Sequence, residues 1–214
     1  MQYFLEVHHS FPLSESGNEG LRASASELRF YKEYIQRLYQ EKNNTNGHHD
    51  VGHIARVLVL ASVLCGKAEV SGTLIDRDVV YVAIVLHDAE RHGLDVFGQP
   101  DHAEMAADLF TPGVRILFPA KQAEHILSVV RHHNKFPDQL PDRVKTNEFF
   151  IFTGADALDL VRLHDGRTAR IFTHEAWELR ETAQELERRS GEKQSGDVFE
   201  DVLSTATEMG MISA

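Results

Sequence analysis

Cysteine is nearly absent from the chain: its 214 residues hold one, Cys65, so no internal disulfide can form and a reducing compartment is the simplest setting. Basic residues are in deficit, 22 against 33 acidic ones, for a formal charge of −11. That balance excludes an extended phosphate-tracking surface, because nonspecific nucleic-acid affinity comes from basic side chains. A phosphorylated ligand should instead meet a local basic pocket. No apolar run approaches the roughly 20 residues that span a bilayer. The segment from Met1 to His9 also lacks the basic start and long apolar stretch of a secretory signal. A soluble, cytoplasmic protein with no membrane partner is expected. Export by specialised machinery lies outside that test, and a homo-oligomer is compatible with it.

What the chain has is histidine, 13 of them, within an ordinary composition of 42% hydrophobic and 26% charged residues. The length suits one core with terminal additions: an arm over 1–25, a helical domain over 26–190 and an extension over 191–214 with a short helix. Apolar residues Leu28, Tyr31, Ile35, Leu38 and Tyr39 recur at helical spacing between Ser26 and Glu41, before a break at Asn43 to Gly47. A second helix, Asp50 to Gly66, is apolar on most sides except for a stripe of His49, His53 and Arg56. A third, Asp76 to Glu90, is closed by His87 and Asp88. Gly93 to Gln99 reads as a loop. Pro100 opens a short helix that Thr111-Pro112-Gly113 ends. Further helices are expected from Pro119 to His132 or His133, from Thr146 to Leu163 and from His174 to Arg189. With no convincing strand pair, the fold class is all-α.

Imidazole nitrogen and carboxylate oxygen suit divalent ions of the zinc, manganese, iron, magnesium, cobalt or nickel kind, provided rigid elements make them converge. Singly, His53 reads as a core histidine and Asp88 as a helix-end residue. Together, a histidine before Arg56-Val57, a His-Asp closing an apolar helix and a late Asp156 on another helix make most of a metal site. His102 shares a helix face with Met105, Ala106 and Leu109, so packing and function both remain open for it. Arg56 and Arg91 follow His53 and His87 at helical spacing and can grip phosphate or pair with a neighbouring acid. Lys135 is a further phosphate candidate. His125, Asp76, Asp78 and Asp159 are assigned structural, capping or surface roles.

The order His53, His87-Asp88, Asp156 resembles the HD-domain phosphohydrolase superfamily over about residues 46 to 165. The likeness is greatest to a bacterial branch with paired histidines before Arg-Val, an arginine after His-Asp and a further histidine. Those places hold His49 and His53, Arg91, and His102 here, while Asp50 stands where that branch often has glycine. The resemblance implies an HD-like helical bundle with a metal site between core helices, and His53, His87, Asp88 and Asp156 as ligands. His132 and His133 are similar to the paired histidines of dinuclear members, which makes His102, His132 and His133 candidate second-metal ligands. The sequence after them, Asn134 to Asp138, lacks the glycine-tyrosine-proline signature of cyclic-dinucleotide phosphodiesterases.

The implied activity is metal-dependent hydrolysis of a nucleotide or another small phosphoester. His102, Arg91, Arg56 and His133 would be the catalytic residues. Three alternatives share parts of the pattern. One is a di-iron oxygenase using His53, His87, Asp88, His102, His132 and Asp156. Another is a phosphodiesterase acting on a phosphoribosyl-modified protein, which the segment Asp156 to Arg162 faintly resembles. The last is a noncatalytic metal-containing sensor, with the segment around Trp177 as a docking surface or closing helix.

Overall fold

The structure, a computed structural model, describes residues 22–40, 50–90, 101–160, 171 and 173–214. The N-terminal arm to residue 21, the break at 43–47, His49, Arg91 and the loop at 93–99 lie outside the described residues, as do residues 161–163 at the end of the helix expected to reach Leu163.

The chain enters through α1, Ala25–Arg29, capped by Ser24, whose hydroxyl accepts from Glu27 N. Next comes α2, Lys32–Gln40. A single helix is predicted across this stretch. The backbone instead tightens where Tyr31 N donates to Leu28 O, and there Tyr31 turns its ring edge-on to Tyr81 at 5.7 Å. Helix α3, Val51–Val70, starts at Asp50, whose carboxylate accepts from His53 N at 2.8 Å. An N-cap is thus the physical role of the aspartate that departs from the family pattern. Ile54 to Ala61 are buried on every face, apart from slight exposure of Arg56. By length and composition α3 could cross a membrane, contrary to the expected lack of such a run, but 78% of its apolar window is buried within the protein. It is the central core helix.

Helix α4, Arg77–Leu86, is capped by Asp76, as its sequence position suggested, and buries Val79 to Leu86. Helix α5, His102–Leu117, is capped by Asp101 and runs on through Pro112, while Pro100, expected to open it, lies outside the described residues. Proline there removes one backbone donor but its ring is exposed, and Gly113 and Val114 beyond it are buried, so packing overrides the expected stop. Helix α6, Ala120–His132, pairs with α5. Two 3-10 turns, Pro137–Gln139 and Asp142–Val144, lead to α7, Asn147–Leu160. The helix expected from His174 to Arg189 is two, α8, His174–Glu178, and α9, Arg180–Gly191, offset at buried Leu179. Finally α10, Val198–Glu208, seats Phe199, Val202, Leu203 and Ala206 in the same core, against α3 and α9. Among the described residues there is no strand; a parallel bridge joins Ser24, which caps α1, to Ser213, beyond α10.

The architecture is all-α, and its polarity positions the site. At one end, the starts of α4, α6 and α7 are knotted by polar contacts. Glu148 Oε1 accepts from Asp76 N at 3.1 Å, Gln122 Nε2 donates to Asp76 Oδ2 at 3.0 Å, and His125 Nε2 meets Thr146 Oγ1 at 2.9 Å. The three helices therefore run parallel, and their other ends bring His87-Asp88, His133 and Asp156 together. Helix α3 runs the opposite way and presents His53 from its first turn.

Candidate metal centre

Three helices bring four candidate donor atoms close together. His53 Nε2 lies 3.3 Å from Asp156 Oδ1 and 3.8 Å from Asp88 Oδ2. His87 Nε2 lies 3.1 Å from Asp88 Oδ2 and 3.8 Å from Asp156 Oδ1. Tetrahedral coordination at about 2.0–2.1 Å sets neighbouring donors about 3.3 Å apart; His53, His87 and Asp88 form a buried group that could hold one divalent ion, and Asp156 Oδ1 lies beside it. His87 Nε2 and Asp156 Oδ1 are buried and have no hydrogen-bond partner within the protein. Buried polar atoms are normally satisfied, and a cation is what this donor set would satisfy.

The protein prepares the imidazoles for that role. His87 Nδ1 donates to Ile84 O at 2.7 Å, and His53 Nδ1 donates to Asp159 Oδ2 at 2.8 Å, so each ring turns its Nε2 inward. The ring of His87 rests edge-on against Phe152, 5.1 Å between centroids, and Tyr39 donates its hydroxyl to Val85 O in the last turn of α4. Burial opposes protonation of His53, but Asp156 and Asp159 outweigh it and push the imidazole up to about 9. Burial likewise opposes ionisation of Asp156, yet His53 and His87 hold its carboxyl down at about 2. These shifts describe a pocket with negative charge to spare, in which a cation beside Nε2 is favoured.

A second cluster adjoins the first through Asp88. Oδ1 of that carboxylate lies 3.5 Å from His102 Nε2 and 3.9 Å from His133 Nε2, and the two imidazoles are 3.2 Å apart. His133 Nδ1 donates to Val130 O at 2.8 Å, again leaving Nε2 to face inward. Burial, reinforced by His87 nearby, pushes its imidazole down to about 3. Two small bonds align this cluster: Asp101 caps α5 through Ala103 N, and the same oxygen accepts from Asn134 Nδ2 at 2.8 Å. The start of α5 is thereby fixed to the residue after His133.

The structure sorts the sequence candidates. His53, His87, Asp88 and Asp156 converge, and His102 and His133 join them. His102 does so from the buried face of Ala106 and Phe110; Met105 and Leu109, expected on its face, point outward. His132 does not converge: its Nδ1 is bonded to Ser128 O at 2.8 Å. Helix phase is the reason, since Ile126, Val130 and His133 follow the buried i, i+4, i+7 row. Arg56, expected to grip phosphate, spends its Nε and Nη2 on Asp159 at 2.5 and 3.2 Å, which is the ion-pair alternative. Lys135 lies 3.7 Å from Glu104 at the surface, and His125 is structural as expected. Asp159, assigned to capping or the surface, is 2% exposed and is the partner of His53 that sequence reasoning missed. The signal was present: α7 is apolar over nearly its whole length and has no polar face on which such a charge could be solvated.

No protein-family model and no curated protein matches the chain. A search of solved structures finds similarity to the crystal structure of a "predicted HD superfamily hydrolase" from an uncultured Thermotogales bacterium, with a TM-score of 0.53 and 20% identity over 75% of this chain and 87% of that one. With the helices and buried His/Asp cluster in place, the chain has an all-α, HD-like fold.

Proposed function

We propose that the protein is a metal-dependent hydrolase of a phosphoester bond in a nucleotide or another small phosphorylated molecule. The convergence of His53, His87, Asp88 and Asp156, drawn from three helices onto one buried point, carries this reading. The hydrolase name of the structurally similar protein agrees with it. When bound, a divalent ion supplies a water of lowered pKa and polarises the phosphoryl oxygen under attack.

The chain's own groups supply the rest. His53 and His87 would hold the ion through Nε2, because each Nδ1 is already engaged. Asp88 divides its oxygens, Oδ2 toward His53 and His87 and Oδ1 toward His102, and in this reading His102 Nε2 would take or return the proton. Phe152 and the surrounding core exclude bulk solvent from the inner wall. Arg91 remains the proposed phosphate contact from the segment following Asp88.

The Asp88, His102, His133 cluster favours a variant of the same reading in which these three residues would hold a second divalent ion. Six inward donors, with His133 in the place expected of His132, also meet the ligand demand of a di-iron oxygenase. Elemental analysis of purified protein followed by assays with phosphomonoesters, phosphodiesters and nucleotides tests the proposal. Hydrolysis that depends on added metal and disappears in His87→Ala and Asp88→Ala is expected. Oxygen consumption by iron-loaded protein without hydrolysis, or full hydrolysis by a metal-free variant, refutes it.

A further inference from the structure

Each of two helices contributes a ligand and, one turn further on, a charged residue that never reaches the ligand point. In α3 the pair is His53 and Arg56; in α7 it is Asp156 and Asp159. The two later residues meet: Asp159 Oδ1 accepts from Arg56 Nε, and Oδ2 accepts from both Arg56 Nη2 at 3.2 Å and His53 Nδ1 at 2.8 Å. All are buried, with exposures of 0% for His53, 2% for Asp159 and 8% for Arg56. Both oxygens are thus committed, and the carboxylate cannot rotate without breaking a charge-assisted bond.

We propose that Arg56 and Asp159 act as one positioning unit, fixing the tautomer and ring plane of His53 and setting the affinity of the centre for a divalent cation without touching substrate. The inference rests on the metal-centre reading above. Charge arithmetic supports a unit rather than two separate residues. Asp159 alone would add a third buried carboxylate near the ligand point; paired with Arg56 it adds none. Asp88 and Asp156 are then left as two negative charges to match an ion of charge two. Geometry supports it as well. Lysine could neutralise the same charge, but only a guanidinium can donate two bonds in one plane and so fix both carboxylate oxygens. Gly52 makes room for this guanidinium, since a Cβ there would lie 3.1 Å from Arg56 Nη1 and 3.0 Å from Val198 Cγ1.

The test compares the full chain with an Arg56→Gln/Asp159→Asn double variant, which removes both charges together, and with Arg56→Lys, which keeps the charge but loses the fork. Zinc affinity is measured by competition with a chromogenic chelator, and the visible spectrum of the cobalt(II)-loaded protein reports ligand geometry. Thermal unfolding in excess chelator controls for folding. The double variant should unfold near the wild-type temperature, bind zinc about 10- to 100-fold more weakly and give an altered cobalt spectrum, with Arg56→Lys in between. Wild-type affinity and an unchanged spectrum in the variants overturn the positioning unit while leaving the centre intact. Absence of zinc binding by the wild type overturns the metal reading and the unit with it. Should the double variant not fold, Arg56→Lys decides alone, and wild-type affinity there counts against the proposal.

Discussion

Asp88 turns one carboxylate oxygen toward each of two ligand clusters, and the nearer atom of the second is His102 Nε2 at 3.5 Å from Oδ1. The two residues should therefore fail differently. Asp88→Ala removes a donor from both clusters and is expected to leave the protein without bound metal or turnover. His102→Ala removes a donor only from the second. It should retain one equivalent of zinc by elemental analysis while turnover falls on the order of 10²- to 10⁴-fold, the range for losing a positioned proton carrier. Equal metal contents in the two variants would contradict the division of the carboxylate.

Zinc itself should stabilise the fold. The four donors come from three helices and are distant in the chain, so the unfolded state cannot assemble them. At a free ion concentration about 1,000 times the dissociation constant, the linkage amounts to about 4 kcal/mol. Thermal unfolding with and without chelator measures it directly. A midpoint that does not move on adding zinc would place the ion's binding elsewhere or in the unfolded chain as well.

The pattern of legibility follows from what sequence can encode locally. The candidate ligands were readable because a polar residue set in a mostly apolar helix needs a reason to be buried, and His53, His87-Asp88 and Asp156 all meet that description. Asp159 meets it too, but its partners sit on α3, 103 and 106 positions away, and nothing local distinguishes a carboxylate that clamps a histidine from one that caps a turn. His132 and His133 differ only in helix phase, which the buried row through Ile126 and Val130 resolves. Pro112 shows the opposite failure: the local rule for ending a helix was sound, and burial of Val114 beyond it outweighed the loss of one hydrogen bond.

The knot opposite the candidate metal centre predicts a pure stability effect. Glu148 is 9% exposed and accepts the backbone N–H of Asp76, the residue that caps α4. Glu148→Ala leaves that donor short of its acceptor, and a loss of about 1–3 kcal/mol is expected in urea unfolding. Because the candidate ligands lie toward the other ends of these helices, zinc stoichiometry should stay at the wild-type value. Loss of metal from a still-folded Glu148→Ala protein would show that the two ends are coupled after all.

Asp78 offers a test of sign as well as size. Burial, with Asp76 and Glu27 beside it, raises its carboxyl from 3.8 to about 6. The folded protein therefore binds this proton more tightly than the unfolded chain does. The stability it contributes is full below about pH 3.8, is lost as pH rises through about 6, and does not return above that. Asp78→Asn, which keeps the shape and cannot ionise, should match the wild type at pH 3.5 and exceed it at pH 8. Partial exposure and the favourable start of α4 reduce the gain to about 1 kcal/mol, below the value that the shift alone implies. Urea unfolding of both proteins at the two pH values measures the difference. If Asp78→Asn is the weaker protein at pH 8, the carboxylate is stabilising α4 as a charge, and its neighbours are not the burden that the geometry indicates.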